Sequence, residues 1–250
     1  MFNNILGNDN IKELLTNAVK NNKASHSYMF VGTEGIGKKL IAKEFAKMIL
    51  CTDENKYCGK CKSCIEFESS NNPDFKIIEP DGNSLKIEQI REFQNKVSEK
   101  PIISNRKVYI INDSDKMTTE AQNCLLKTLE EPPEFVTIIL IGSNESAFLD
   151  TIKSRCMILR FNKISDENIV KFLEENFQTK VNSQIMLEAF QGSIGKAIQL
   201  QDKQEEYEQI EKYLYRLNLE NGYIQELGEH EEEYVPKWEM WVFYFFLRKM

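Results

Sequence analysis

The sequence predicts an α/β protein built on a mostly parallel sheet. Five short apolar segments have the composition of buried strands, and helical patterns lie between most of them. Strands that alternate with helices favour parallel pairing, because each helix returns the chain to the edge from which the next strand starts. After residue 161 only helical patterns remain, which predicts a helical region after the sheet.

The predicted strands are nearly continuous apolar runs, as expected for a sheet that helices cover on both faces. They occupy residues 28–32, 74–80, 107–112, 137–143 and 157–161. The helix after the first strand is amphipathic. Its expected buried face consists of Leu40, Ile41, Phe45, Met48 and Ile49. A later helix is stopped by Pro132 and Pro133, since proline cannot continue a helix.

Two boundaries divide the chain into three expected domains. The run at 228–236 is acidic and predicts a solvated loop, and the apolar run at 238–247 predicts a helix that the chain ends within. We therefore expect the third domain to be incomplete. The domains are a sheet domain at 1–162, a small helical domain at 163–203, and the start of a second helical domain at 204–250.

Composition excludes several classes of protein. A hydrophobic content of 41% supports a packed core and excludes a disordered chain. The net charge of −7 argues against a protein that coats DNA by itself. The amino terminus lacks the apolar segment of a signal peptide, and the longest apolar run is about half of what a membrane-spanning helix needs. We expect a soluble, cytoplasmic protein without a membrane partner.

Residues 32–38 read G-x-x-x-x-G-K between a predicted strand and a predicted helix, which is typical of a phosphate-binding loop. Its glycines, which allow close backbone approach to a phosphate, are Gly32, Gly35 and Gly37. Lys38 would contact the terminal phosphates. The next position normally supplies a hydroxyl to Mg²⁺, whereas Lys39 brings a competing ammonium. The motif predicts a vestigial nucleotide site that binds ATP and Mg²⁺ weakly or not at all, and a ligand-free glycine turn is the alternative.

A second departure from an active nucleotide site follows the strand at 107–112. An active P-loop ATPase of this kind has Asp and then Glu here, for Mg²⁺ and for the attacking water, but this chain has Asn112 and Asp113. Asn is a weaker, neutral ligand for Mg²⁺, and Asp is one methylene shorter than Glu. The alternative is an acidic cluster that only ends a strand.

Four of the six cysteines lie close together with the spacing C-x6-C-x2-C-x2-C. They are Cys51, Cys58, Cys61 and Cys64. Four thiolates at this spacing predict a tetrahedral Zn²⁺ site with Zn–S bonds of about 2.3 Å, and the full set leaves no open position, so the zinc would be structural. Iron–sulfur ligation is the competing interpretation. Cys124 and Cys156 are interpreted as ordinary small residues.

Residues 154–156 read Ser-Arg-Cys just before the last predicted strand. A lone arginine is usually a surface residue or half of an ion pair. Its position after the fourth strand nevertheless allows Arg155 to reach the phosphate site of a neighbouring subunit as an arginine finger.

The ordered set of motifs resembles the delta-prime subunits of bacterial DNA polymerase III clamp loaders, a family of AAA+ proteins. The resemblance covers roughly the first 200 residues. The matching segments are ILGN (5–8), HSYMFVGTEGIGK (26–38), the four-cysteine insertion (51–64), KVYIINDSDKM (107–117), LLKTLEEPP (125–133), SRC (154–156) and GSIGKA (192–197).

This resemblance implies a RecA-like sheet domain with strand order 5-1-4-3-2, followed by a helical lid and a helical collar. It implies a hetero-pentamer with a delta subunit and gamma/tau ATPase subunits, which loads a sliding clamp on primer–template DNA as part of a DNA-directed DNA polymerase holoenzyme. A subunit of this kind has no ATPase activity alone. Arg155 would serve ATP bound at the adjacent subunit, and Gly195 stands where active subunits have a phosphate-sensing arginine, with Lys196 as a partial substitute.

Three other functions stay open. The first is an active clamp-loader ATPase of the gamma/tau type. The second is a nucleic-acid-binding regulator that uses the zinc module. The third, ranked last, is a small-molecule phosphotransferase, for which the two histidines, His26 and His230, offer no clear catalytic base.

Overall fold

The sheet contains five strands, and every pair of neighbours is parallel. The computed structural model describes residue 2 and residues 5–220, with side chains described up to residue 214. The strands are β1 (Ser27–Val31), β2 (Phe75–Ile78), β3 (Lys107–Ile111), β4 (Val136–Gly142) and β5 (Met157–Arg160). Their order across the sheet is β2-β3-β4-β1-β5, which confirms the predicted order 5-1-4-3-2.

Six helices cover the sheet domain. They are α1 (Asp9–Lys20), α2 (Lys38–Leu50), α3 (Lys62–Glu68), α4 (Ile87–Val97), α5 (Thr119–Glu130) and α6 (Asp150–Lys153). Successive strand residues point to opposite faces, so two cores form. Tyr28 and Phe30 pack with α1 and α2, whereas Met29 and Val31 pack on the other face with α4 and α5. Every residue of β1, β3 and β4 is buried, as their apolar composition predicted.

The predicted apolar face of α2 is correct except at its first residue. Ile41, Phe45, Met48 and Ile49 are buried, but Leu40 is 56% exposed. Each helical residue is rotated by about 100° from the one before it, so Leu40 lies about 140° around the helix from Phe45, which is near the middle of the buried face. The prediction for Leu40 was wrong because the buried face is narrower than the apolar run.

The helices after residue 162 surround a third, separate core that includes Ile169, Leu173 and Phe190. They are α7 (Asp166–Phe177), α8 (Gln184–Phe190), α9 (Ile194–Leu200) and α10 (Gln204–Glu220). The domain boundaries at 162 and 203 stay predictions. The expected acidic loop and terminal apolar helix, like His230, lie outside the described residues. Within the described part of the chain, no helix is both long enough and apolar enough to cross a bilayer.

Candidate functional site

The glycine loop connects the carboxyl end of β1 to α2, and its lysine is engaged within the loop itself. The Lys38 ammonium donates to the carbonyl of Gly32 at 2.5 Å and to that of Thr33 at 2.8 Å. Lys38 is buried, and burial lowers the pKa of its ammonium, although the nearby carboxylate of Asp115 partly opposes this effect. The two carbonyls therefore occupy donors that a bound phosphate would need.

The amino end of α9 lies directly on the glycine loop. The backbone N–H of Gly195 donates to the carbonyl of Gly35 at 3.0 Å. A Cβ at Gly195 would lie 2.8 Å from the Cα of Gly35, and a Cβ at Gly35 would lie 2.4 Å from Oγ of Ser193. Backbone therefore contacts backbone, and an arginine at position 195 would not fit this arrangement. Lys196 does not reach the loop, because its ammonium binds the side-chain oxygen of Gln191.

Lys39, the residue that departs from the phosphate-binding motif, forms an ion pair at the carboxyl end of β2. Its ammonium lies 2.5 Å from Oε1 of Glu79, which follows β2. The amide of Asn112, after β3, donates to the same oxygen at 3.4 Å. The structure thus brings together two predicted site residues, Lys39 and Asn112, around a carboxylate that the sequence had not indicated.

The remaining predicted residue of this edge, Asp113, does not join that group. It has the left-handed φ of 48°, and its carboxylate pairs with Lys116 at 3.0 Å. Asp115 instead connects the strand ends, since its Oδ2 accepts from the backbone N–H groups of Ser143 and Asn144 at 3.0 Å each. The carboxylate of Asp113 is therefore occupied by an ammonium, and that of Asp115 by backbone donors.

The four predicted cysteine ligands lie together, with all Sγ atoms within 4.8 Å of one another. Sγ of Cys51 is 3.6 Å from that of Cys58 and 3.9 Å from that of Cys61. A tetrahedron with Zn–S bonds of about 2.3 Å has S–S edges of about 3.8 Å, so the cluster has the size of a zinc site. The backbone N–H groups of Lys60 and Cys61 donate to Sγ of Cys58.

Burial raises the pKa of the Cys51 and Cys64 thiols. Burial also favours a higher pKa at the Cys61 thiol, but hydrogen bonds with Thr52 and Cys64 together outweigh it and lower the pKa to about 6. A divalent cation would deprotonate the remaining thiols and offset part of their negative charge. The donor set and its spacing therefore fit Zn²⁺.

A polar cluster attaches the four-cysteine insertion at residues 51–64, the cysteine module, to α2. The buried ammonium of Lys47 pairs with Glu68 of α3 and lies 4.9 Å from the ring centre of Tyr57. The hydroxyl of Tyr57 donates to Glu44 of α2. Because Lys47 and Glu44 both belong to the helix that starts at the glycine loop, the module is fixed to the body of the sheet domain.

Arg155 lies between α6 and β5, one third exposed, and is held in place. Its guanidinium pairs with Glu130 at 2.8 Å and donates to the carbonyl of Thr151 at 2.8 Å. Glu130 belongs to the EEPP segment at the end of α5. The arginine is therefore oriented at the surface, by a carboxylate that the sequence had not indicated.

Comparison with known proteins identifies the family. A family model described as "DNA polymerase III, delta subunit" matches residues 7–165. The chain belongs to this family. The delta' subunit of DNA polymerase III from Bacillus subtilis is 38% identical over 160 residues, which cover 64% of this chain and 49% of that protein. The tau/gamma subunit from Haemophilus influenzae is 35% identical over 211 residues, which cover 81% of this chain and 30% of that protein.

The delta-subunit family membership confirms the resemblance drawn from the motifs. The chain spans about half or less of the length of these two relatives. The RuvB Holliday junction branch migration motor of Thermotoga maritima superposes with a TM-score of 0.51 at 13% identity, over 85% of this chain and 64% of that one. This likeness concerns the fold alone, and with the strand order it confirms the expected AAA+ architecture.

Proposed function

We propose that the chain is a clamp-loader subunit of a bacterial DNA polymerase III that does not hydrolyse ATP itself. In this proposal it assembles with delta and gamma/tau subunits, and the complex loads a sliding clamp on primer–template DNA. Its own chemical contribution is Arg155, which reaches the ATP bound at a neighbouring gamma/tau subunit. Zinc at the four cysteines has a structural role only.

The main support for the absence of hydrolysis is that the glycine loop is already bound by groups of the protein itself. Lys38 binds carbonyls of its own loop, and Gly195 packs on Gly35. Lys39 replaces the hydroxyl ligand of Mg²⁺ and pairs with Glu79. ATP hydrolysis depends on a lysine, a metal ion and an oriented water acting together. Each of these three contributions is altered in this chain.

The role of Arg155 is supported by its orientation. A guanidinium that acts on a neighbour's phosphate must lie at the surface and keep one geometry. Arg155 is partly exposed, and two oxygens, from Glu130 and Thr151, fix its direction. A guanidinium has five N–H donors, so Arg155 keeps donors for an anionic partner beyond its contacts with Glu130 and Thr151.

The test is reconstitution with gamma/tau and delta subunits, followed by single-turnover ATP hydrolysis. Arg155→Ala is expected to lower the rate at the one affected site by about 10³-fold. Arg160→Ala is the matched control, since Arg160 is a nearby exposed arginine that pairs with Glu145. An unchanged rate at that site with Arg155→Ala, or an equal loss with Arg160→Ala, contradicts the arginine-finger role.

An active ATPase of the gamma/tau type is the second candidate. It is favoured by the tau/gamma relative, whose match covers more of this chain than that of the delta' relative does. Turnover of ATP by the isolated chain separates the two candidates. A rate of about 1 s⁻¹ that Lys38→Ala abolishes would establish the second candidate and overturn the first.

A further inference from the structure

A small cavity of about 150 Å³ lies at the edge of the sheet opposite the glycine loop. Asn105 and Arg106, which immediately precede β3, line it together with Ala24, which precedes β1. The glycine loop follows the carboxyl end of β1, so the cavity is separate from the candidate nucleotide site. Cys51 also lines it, which places it beside the cysteine module.

The cavity has a cationic wall and an apolar floor. Lys56 and Arg106 supply two positive charges, and none of the described residues that line it is acidic. Val19, Ala24 and Ile49 form the apolar part. A volume of this size holds one oxyanion group with a few attached atoms and excludes a nucleotide, since drug-sized molecules occupy about 300 Å³ or more.

Arg106 is an unusual arginine, because its Nε is fully buried and has no hydrogen-bond partner among the described residues. Buried donors are nearly always paired, and a charged one is especially costly to leave unpaired. Burial also lowers the pKa of the guanidinium, with the phenol of Tyr28 opposing this effect only in part. The Nε of Arg106 therefore lacks the acceptor that its burial calls for, whereas the side chain as a whole is only half-buried.

The carboxyl ends of α1 and α2 also approach the cavity and carry partial negative charge. Backbone N–H groups of Asn21, Asn22 and Lys23 already bind the last carbonyls of α1, which reduces its contribution. Each helix end is equivalent to at most about half a unit charge. Two formal positive charges outweigh these partial charges. The cysteine cluster beside Cys51 is the main opposing charge, since four thiolates on one Zn²⁺ leave a net charge of about −2. The local feature that favours an anion is therefore the unpaired Nε of Arg106, with Lys56 as a second cation.

We infer that this cavity binds a small oxyanion, a phosphate or a carboxylate group, with Arg106 as its main ligand and Lys56 as a second cation. The guanidinium fork suits two oxygens of one anion, and the apolar floor suits the carbon atoms of a short carboxylate or phosphate ester. This inference does not depend on the proposed clamp-loader role.

The test is calorimetric titration of the purified full chain, with its zinc content measured, first with inorganic phosphate and then with acetate. Arg106→Gln is expected to weaken binding of the anion by about tenfold or more, and Arg106→Lys by less, because charge remains while the fork is lost. Arg91→Gln is the matched control. It removes the same charge from an exposed position on α4 and is expected to leave binding unchanged.

Ala24→Leu provides a second variant that keeps both cations but fills the cavity, and it is also expected to abolish binding. Circular dichroism verifies that each variant is folded. Binding of phosphate alone, of acetate alone or of both supports the site and identifies the source of the oxyanion. The inference is overturned if neither anion binds, if Arg106→Gln binds as wild type does, or if Arg91→Gln loses binding equally. It is also overturned if Arg106→Gln only loses zinc, which would mean that Arg106 offsets the charge of the cysteine cluster.

Discussion

At the scale of single residues, the contact between Gly35 and Gly195 joins the helical region to the glycine loop. Gly195→Ala places a methyl group 2.8 Å from the Cα of Gly35 and 3.1 Å from its carbonyl oxygen. Overpacking against backbone costs about 1–3 kcal/mol, which exceeds the roughly 1 kcal/mol that alanine gains over glycine within a helix. We therefore expect Gly195→Ala to lower the free energy of unfolding, as measured by urea titration.

Gln199→Ala is the control for this substitution, because Gln199 is exposed on the same helix. It is expected to change the free energy of unfolding by less than about 0.5 kcal/mol. If Gly195→Ala stabilised the protein by as much as helix propensity alone predicts, the close packing on Gly35 would be contradicted.

The pair between Glu130 and Arg155 gives a second prediction at this scale. Both side chains are partly exposed, so the pair contributes at most about 1 kcal/mol to stability. We expect the pair to matter by orienting the guanidinium of Arg155, since a misplaced catalytic group can lower a rate by about 10²-fold. In the reconstituted complex, Glu130→Gln is expected to lower single-turnover hydrolysis at the affected site by about 3- to 30-fold, with little change in melting temperature.

Glu131→Gln, at the next and exposed position, is the control and should leave the rate unaltered. An unaffected rate in Glu130→Gln would mean that the carboxylate does not position Arg155. A large fall in melting temperature would mean that its role is structural.

At the scale of elements, the cysteine module (residues 51–64) is the segment that a metal ion bound at its four cysteines is expected to order. Apart from its attachment to α2 through Lys47 and Tyr57, residues 51–61 have little regular structure. We expect about one Zn²⁺ per chain by elemental analysis, in line with four thiolate ligands. Chelation should increase amide hydrogen exchange in 51–68 and lower the melting temperature, because zinc-binding energy becomes folding energy.

Cys64→Ser should lose zinc and reproduce the effect of chelation, whereas Cys124→Ser, outside the cluster, should retain it. The absence of stoichiometric metal from protein purified without chelator would refute the site. The finding of iron in its place would favour the iron–sulfur interpretation.

The elements also show how far the sequence alone reaches. The strands, the glycine loop and the cysteine spacing were predicted because each depends on residues close together in the chain. Ser165 precedes α7 but its side chain makes no capping hydrogen bond, whereas Ser183 and Ser193 cap α8 and α9. The exact capping bond depends on a rotamer that periodicity does not determine.

The partners of the site residues were not predicted, since they come from distant parts of the sequence. Glu79 reaches Lys39 only because α2 packs across β3 and β4 and so brings its first turn toward the end of β2. Glu130 reaches Arg155 only because α5 ends near α6. Glu79 directly follows an apolar strand, and the carboxyl ends of parallel strands share one edge of the sheet. Its position in the sequence could therefore have predicted a carboxylate at the edge where the glycine loop lies. The contact of Gly195 with Gly35 left no such signal.

At the scale of the whole molecule, the contacts of the glycine loop with its own lysine and with α9 predict that nucleotide stabilises the fold only weakly. Binding of ATP requires Lys38 to leave two carbonyls and α9 to move from Gly35. Even a dissociation constant of 1 mM would, at 1 mM MgATP, stabilise the fold by only about 0.4 kcal/mol. For a chain of this size that corresponds to a rise in melting temperature of about 1–2 °C.

We therefore expect 1 mM MgATP to raise the melting temperature of the isolated chain by no more than about 2 °C. The rise caused by MgATP in Lys38→Ala is expected to be the same as in the wild type. A gamma/tau subunit measured in parallel serves as the positive control. Tight binding, at 100 times the dissociation constant, would add about 2.7 kcal/mol and raise the melting temperature by about 5–10 °C. A rise of that size, lost in Lys38→Ala, would mean that the loop opens readily and that the engaged lysine is no barrier to nucleotide.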